Sequence, residues 1–120
     1  MKRLYIDLET YSPEPIADSG LYRYAMHPDF QILLPAYAID DAPVRIADLA
    51  CGEDVPKAVW DGLLNNTVTK VAHNAAFERV CLSVHMWGLG ILKKGVFLSA
   101  EDWFCTSVQA SRCGLPMNLA

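Results

Sequence analysis

Two carboxylates, Asp7 and Glu9, stand two positions apart in Leu4-Tyr5-Ile6-Asp7-Leu8-Glu9-Thr10, near the front of the chain. The residues around them favour a strand, and side chains along a strand alternate between its faces. Asp7 and Glu9 therefore share one face, with Ile6 and Leu8 on the other. Like charges on one face repel. A bridging cation relieves that repulsion, and hard divalent ions such as Mg²⁺ prefer carboxylate oxygens while keeping several waters. The same spacing also suits a solvated edge strand that shows two acidic residues. A second polar group stands in Val71-Ala72-His73-Asn74-Ala75-Ala76-Phe77-Glu78-Arg79, where a strand runs into a helix. Asn74 and Glu78 are four residues apart and share a helix face, at the kind of turn where polar groups collect in α/β sheets. Structural roles compete here too. Asn74 can cap the helix through its side-chain oxygen, and Glu78 near the N-terminus suits the helix dipole.

The elements that must position these groups follow from pattern. Residues 3–9 form the first strand, broken by Pro13 and Pro15, which cannot lie in a sheet interior. Residues 16–26 read as a weak helix around Gly20, closed by His27-Pro28. The apolar run 30–39 suits a second, largely buried strand. Asp40-Asp41-Ala42-Pro43 is a turn and 44–49 a third strand, which together make an antiparallel meander. Beyond Gly52-Glu53-Asp54, a helix places Val55, Val59 and Leu63 on one side, with Pro56 in its first turn. Residues 69–72 are a short strand, and 75–87 a longer helix striped by Phe77, Cys81 and Val84, joined by Val80 and Trp87. Trp103-Phe104-Cys105 is a further strand; Thr106 then caps a helix to Cys113, with Gly114 as its left-handed terminator. Strands first, then alternating helices and strands, predict an α/β layer on a mixed sheet.

Length and composition bound the function classes. A chain of 120 residues is a single domain, 1–120. Its 52% hydrophobic and 20% charged content is that of a globular protein and excludes a disordered or fibrous one. No apolar run approaches the roughly 18 residues that span a membrane, and charges replace the apolar stretch that a signal peptide needs. A cytoplasmic setting is expected, with no membrane partner. Cys51, Cys81, Cys105 and Cys113 lack Cys-x-x-Cys spacing and read as reduced, mostly buried thiols. A net charge of −4 argues against a broad basic nucleic-acid glove. It leaves room for an enzyme that meets DNA at a small cleft where metal ions neutralise the surface. His27 and His85 have no ligand-like spacing, and His73 reads as a junction residue. Arg79, Lys93 and Lys94 are able to touch phosphates, although a solvated face accounts for them equally.

Taken together, Asp7-x-Glu9 in a first strand and His73-Asn74-x-x-Phe77-Glu78 at a strand–helix junction resemble the 3′–5′ exonuclease superfamily named for its four acidic residues. Thr10 stands in the position that follows the first motif. Leu21-Tyr22-Arg23-Tyr24, Phe30-Gln31-Ile32-Leu33-Leu34, Cys81-Leu82-Ser83 and Trp103-Phe104-Cys105-Thr106 further resemble the N-terminal exonuclease-type domain of family-A DNA polymerases carried by phages and prophages. The resemblance covers nearly the whole chain. It implies a ribonuclease-H-like α/β fold: a mixed sheet of an antiparallel three-stranded meander plus parallel strands, flanked by helices and incomplete at the C-terminus. It implies two-metal hydrolysis of phosphodiester bonds at single-stranded DNA 3′ ends, with two divalent ions, Mg²⁺ or Mn²⁺, about 3.5–4 Å apart. On this basis Asp7 bridges the metals, Glu9 binds one and orients the water, and Glu78 fills the third acidic position. Thr10 and Asn74 hold the terminal nucleotide, and Phe77 packs beneath the site. Tyr11 can stack on a base or take a core or surface role. A polymerase domain in the parent chain is the implied partner.

Two departures bear on activity. The family's third motif, a Tyr or His followed four residues later by Asp, is not found after Glu78, where the acidic residues are Glu101 and Asp102. General acid–base help is worth about 10²–10⁴-fold, so this chain alone is expected to be weak or inactive. Glu78 also replaces the more usual Asp, and its extra methylene moves the carboxylate at a metal that tolerates little geometric error. A non-catalytic alternative follows: a degenerate nuclease-fold module that binds nucleic acid or braces the polymerase. In a third, Asp7 and Glu9 are surface charges of an unrelated α/β protein.

Overall fold

The strand that carries Asp7 and Glu9 becomes the centre of the sheet. In a computed structural model, which describes residues 1–116, β1 (Arg3–Tyr11) leads through two short helices, α1 (Ile16–Ser19) and α2 (Leu21–Met26), into β2 (Gln31–Ile39). Next come β3 (Arg45–Ile46), a 3₁₀ turn at Leu49–Cys51, α3 (Lys57–Leu64), β4 (Thr69–Ala72), α4 (Ala75–Gly88), β5 (Trp103–Cys105) and α5 (Thr106–Arg112). The strand order is β3-β2-β1-β4-β5. β1 pairs antiparallel with β2 and parallel with β4, so the sheet is mixed as expected, with the meander on one side and the parallel strands on the other.

The period-two reading of β1 holds residue by residue. Leu4, Ile6 and Leu8 are buried, whereas Arg3, Tyr5, Asp7 and Glu9 are exposed. Directly paired residues share a face, so Ile39, Tyr37 and Pro35 join Leu4, Ile6 and Leu8 on the helix side. Ala38, Ala36 and Leu34 lie beside Tyr5, Asp7 and Glu9 on the other face. Val59 and Leu63 of α3 and Val80, Cys81, Leu82 and Met86 of α4 close the core over β1. Among the described residues no helix is long and apolar enough to cross a membrane.

Several elements differ from their sequence patterns for local reasons. Residues 16–26 are two helices, because Gly20 adopts φ +82° between them. The third strand shrinks from 44–49 to two residues. Ala47 N–H still donates to the Pro35 carbonyl, but Asp48 turns away, its N–H bonding Glu53 and its carboxylate accepting from Cys51 N–H. The buried face of α4 is rotated from the expected stripe: it carries Glu78, Cys81, Leu82 and Met86. Phe77 and Val84 lie half-buried, because α2 covers that side and brings Tyr24 against the Phe77 ring, 6.0 Å between centroids. Thr106 starts α5, with Cys105 at the cap position. Of the four thiols only Cys81 is buried; Cys51 and Cys113 are exposed.

The most unexpected core residue is Lys70. Its register beside Leu4 turns it to the helix side, where it is 0% exposed. The ammonium donates to the Asn65 carbonyl, 2.7 Å away, and to the carboxylate of Asp102, which ties the end of α3 to the approach to β5. Removing one partner leaves a buried charge unpaired, whereas replacing both is often nearly neutral. Asp102→Ala should therefore destabilise the protein by about 3 kcal/mol in urea unfolding. Adding Lys70→Met should recover most of that loss.

Candidate active site

The site arises because β1 is longer than its parallel neighbour. β4 pairs with β1 only as far as Tyr5, so the second half of β1 runs past the end of β4. The Lys2 carbonyl accepts from Thr69 N–H on the β4 side (3.0 Å). Backbone groups alternate sides along a strand, so Leu8 faces the same side, where β4 has already ended. α4 starts just beyond β4, and Glu78 in its first turn enters this gap.

Glu78 is 3% exposed, and its Oε2 has no hydrogen-bond partner. Burial pushes its pKa up to about 8, and the charges of Asp7 and Cys105 add to the rise. The N–H groups of Glu78 itself and of Leu8 oppose it. A buried, unpartnered carboxyl oxygen is costly, and its neighbour across the gap is another carboxylate. Asp7 is exposed, and its cross-strand neighbour is the small Ala36, so its face stays open. A shallow apolar groove runs from Asp7 along this face past Tyr5, Ala36, Ala38, Val71 and His73.

Glu9 shares the Asp7 face but lies two residues, or roughly 7 Å, farther along the strand. Among the described residues no three His, Cys, Asp or Glu side chains gather where they could hold a metal ion. Asp7 is thus near enough for its charge to be felt at Glu78, and Glu9 shares the Asp7 face one strand repeat farther on. As a donor set this does not make an all-protein cage. It does match the habit of Mg²⁺, which takes one or two carboxylates and fills its shell with water and substrate phosphate.

The other sequence-derived positions surround this pair. Alternation puts Thr10 on the helix face with Leu4, Ile6 and Leu8, the register shift between Glu9 and Thr10 sets it opposite the buried Ile32, and its hydroxyl hydrogen-bonds the Tyr24 hydroxyl at 2.8 Å. Phe77 lies under the same tyrosine. Asn74 occupies the cap position of α4, but with φ +66° and no side-chain cap hydrogen bond. The left-handed conformation, which Asn tolerates better than most residues, is its local role, and its side chain is left exposed. Ala75 N–H donates to Cys105 Sγ at 3.3 Å, and His73 Nδ1 and Thr106 Oγ1 share a hydrogen bond of 2.9 Å. Tyr11 is exposed at the end of β1. Arg79 is half-buried, and its Nη1 donates to the Leu98 carbonyl at 3.0 Å.

Two members of this neighbourhood lie in stretches that carry the resemblance, but nothing in the sequence marks them as site residues. Tyr24 lies in an unremarkable helix, and only the tertiary packing brings it to Thr10. Cys105 looked like an ordinary core thiol. Burial raises its pKa, but the Ser107 hydroxyl and the N–H groups of Ala75, Val108 and Ser107 converge on the sulfur and bring it down to about 7.

Comparison with known proteins bears on the fold. No protein-family model matches the chain. Over 119 residues it is 44% identical to a DNA polymerase of Bacillus phage SP02, an alignment spanning 99% of the chain but only 17% of that polymerase's length. Its structure is similar to a nuclease solved in its apo form, with a TM-score of 0.59 and 17% identity over 94% of this chain and 44% of that one. The fold is the ribonuclease-H-like α/β arrangement that the motifs imply, shared with a nuclease.

The pH dependence of stability follows from Glu78. Its folded pKa lies above the ordinary value of 4.5, so the folded state keeps a proton that the unfolded state has lost. The associated stability is fully present below that value and is lost as pH rises through about 8. The loss should be on the order of 4–5 kcal/mol in urea unfolding between about pH 5 and about pH 9. Glu78→Gln should flatten this slope and be the more stable protein at alkaline pH. Cys105 should react with iodoacetamide along a curve with a midpoint near 7, mapped by mass spectrometry, whereas a midpoint at the usual 9.0 would contradict its surroundings.

Proposed function

We propose that residues 1–120 are the first part of a 3′–5′ exonuclease-type domain of a phage-like DNA polymerase, acting on single-stranded DNA 3′ ends in the cytoplasm. The observation that carries this reading is the buried, unpartnered Glu78 oxygen beside Asp7 at the end of the central strand. The polymerase relative and the nuclease-type fold support it. Two divalent ions, Mg²⁺ or Mn²⁺, would supply Lewis-acid stabilisation of the phosphoryl oxygens and a hydroxide-like water at neutral pH.

The chain's own residues have these parts in the proposal. Asp7 and Glu78 supply the anionic oxygens that hold the cation, and Glu78 gives up its proton to do so, which makes affinity rise with pH. Glu9, on the exposed face past Asp7, orients the attacking water. Thr10, fixed by Tyr24, and Asn74, exposed at the start of α4, hold the terminal nucleotide, with Phe77 as the floor. Residues 79–120 contain no Tyr- or His-x-x-x-Asp, so trimming by this chain alone is weak; the proposed partner is a polymerase domain in the parent chain. One observation favours the non-catalytic module instead: among the described residues no three metal-capable side chains converge.

Calorimetric titration with Mn²⁺ in the presence of an oligothymidylate separates the two, since substrate phosphate can then complete the metal shell. The nuclease reading expects binding that weakens at least about tenfold in Asp7→Ala and in Glu78→Gln. It also expects uptake of a proton by the buffer near neutral pH. No binding by the wild type under these conditions would leave the non-catalytic module as the function.

A further inference from the structure

Charge is unevenly spread along this acidic chain. Residues 79–100 contain no Asp or Glu but carry Arg79, Lys93 and Lys94, and residues 19–28, which include α2, contain no acid and carry Arg23. The fold brings these two segments together. Tyr22 of α2 meets Phe97 edge-on at 5.4 Å, and Phe97 meets Trp87 of α4 at 5.0 Å. Beside them a cleft of about 450 Å³ is lined by Met26, Val84, Trp87, Gly88 and Lys94. Tyr22 and Met26, one helical turn apart on α2, are each 50% exposed.

The surface is built rather than loose. Trp87 Nε1 donates to the Val96 carbonyl at 2.6 Å, which fixes the plane of the indole. The loop that carries the lysines is tied to α4 at both ends. Ile91 N–H donates to the Met86 carbonyl, Leu98 N–H to Ser83 Oγ, and Arg79 to the Leu98 carbonyl. Fixed, half-exposed aromatic rings beside Lys94, on two segments whose own residues carry no Asp or Glu, are the elements of a single-strand platform, in which bases stack on rings and cations follow the phosphates. A purely structural satellite core would need neither the lysines nor the exposure of Tyr22 and Met26.

We propose that this cleft between α2 and the 89–98 loop binds single-stranded nucleic acid upstream of the end held at Asp7 and Glu78. The proposal deepens the exonuclease reading and rests on it for the identity of the strand. Trp87 lies nine residues beyond Glu78, about 13 Å along α4, a distance of roughly two to four nucleotides. The partner is recognised by backbone charge and base faces, so it should show little sequence preference.

The test is fluorescence anisotropy of a labelled oligothymidylate about 12 nucleotides long, in EDTA so that metal plays no part. The wild type should bind at low salt. Lys93→Glu with Lys94→Glu should weaken binding at least about tenfold and reduce its salt dependence, and Tyr22→Ala should weaken it at least about fivefold. Circular dichroism of each variant checks the fold, which these exposed positions should leave intact. No wild-type binding, or binding equal in all variants, overturns the proposal. So does a wild-type dimer that Tyr22→Ala dissociates while oligonucleotide affinity stays the same, since the cleft would then serve a second copy of the chain. Strand binding in EDTA by a protein that shows no Mn²⁺ binding with DNA present would keep the cleft and sink the metal-site reading.

Discussion

The structure depends on a mismatch in length. β1 continues past Tyr5, where its pairing with β4 ends, and at the vacated edge Glu78 from the helix layer reaches the backbone N–H of Leu8. Glu78 takes that place at the expense of solvation. A protein that needed only a helix N-terminus there would do better with an exposed acid, which gains from the helix dipole without the burial. Keeping one oxygen buried and unpartnered opposite a second carboxylate makes sense when a cation completes the pair. The raised pKa of Glu78 also makes stability depend on pH near neutrality, and in the proposed reading the same group links metal affinity to pH.

The rest of the fold holds this gap open. α4 is fixed from its core face by Cys81, Leu82 and Met86 against β1. Its far end is held by the tethered 89–98 loop, and α2 covers its flank and orders Thr10 through Tyr24. At the opposite end of β4, the Lys70–Asp102 pair fixes the strand's register with β5, and Cys105, three residues on, comes to rest against Ala75 at the start of α4. Electrostatics divides along the same lines. Acidic groups collect at the end of β1, whereas the loop that follows α4 carries Lys93 and Lys94 and no acid from Leu89 to Ala100. In the proposed complex, a strand of nucleic acid is attracted by the lysines and needs a cation only at the acidic end.

Much of this was legible in the sequence where a pattern has one physical solution. Alternation in β1 determines which faces Asp7 and Glu9 share, and the run from β4 through Asn74 into α4 marks the gap. What was not legible came from tertiary context. Apolar residues alone draw the α4 stripe through Phe77, Cys81 and Val84 and leave Glu78 out of account; burial of a carboxyl cannot be inferred from periodicity. The capping role of Asn74 was read from residue type, whereas its left-handed backbone, not its side chain, is what the junction uses. β3 shortened because Asp48 found partners in Cys51 and Glu53, a competition that strand propensity does not register. Tyr24 and Cys105 reach the site only through packing.

The most direct measurement is a ¹³C NMR titration of the Glu78 side-chain carboxyl, followed without metal, with Mg²⁺, and in Asp7→Ala. The account predicts a midpoint near 8 without metal, a lower one when Asp7 is replaced, and a lower one again when Mg²⁺ and an oligonucleotide are added. A midpoint at the ordinary 4.5, indifferent to metal and to Asp7, would contradict it, because Glu78 would then be a solvated helix residue with no part in a site.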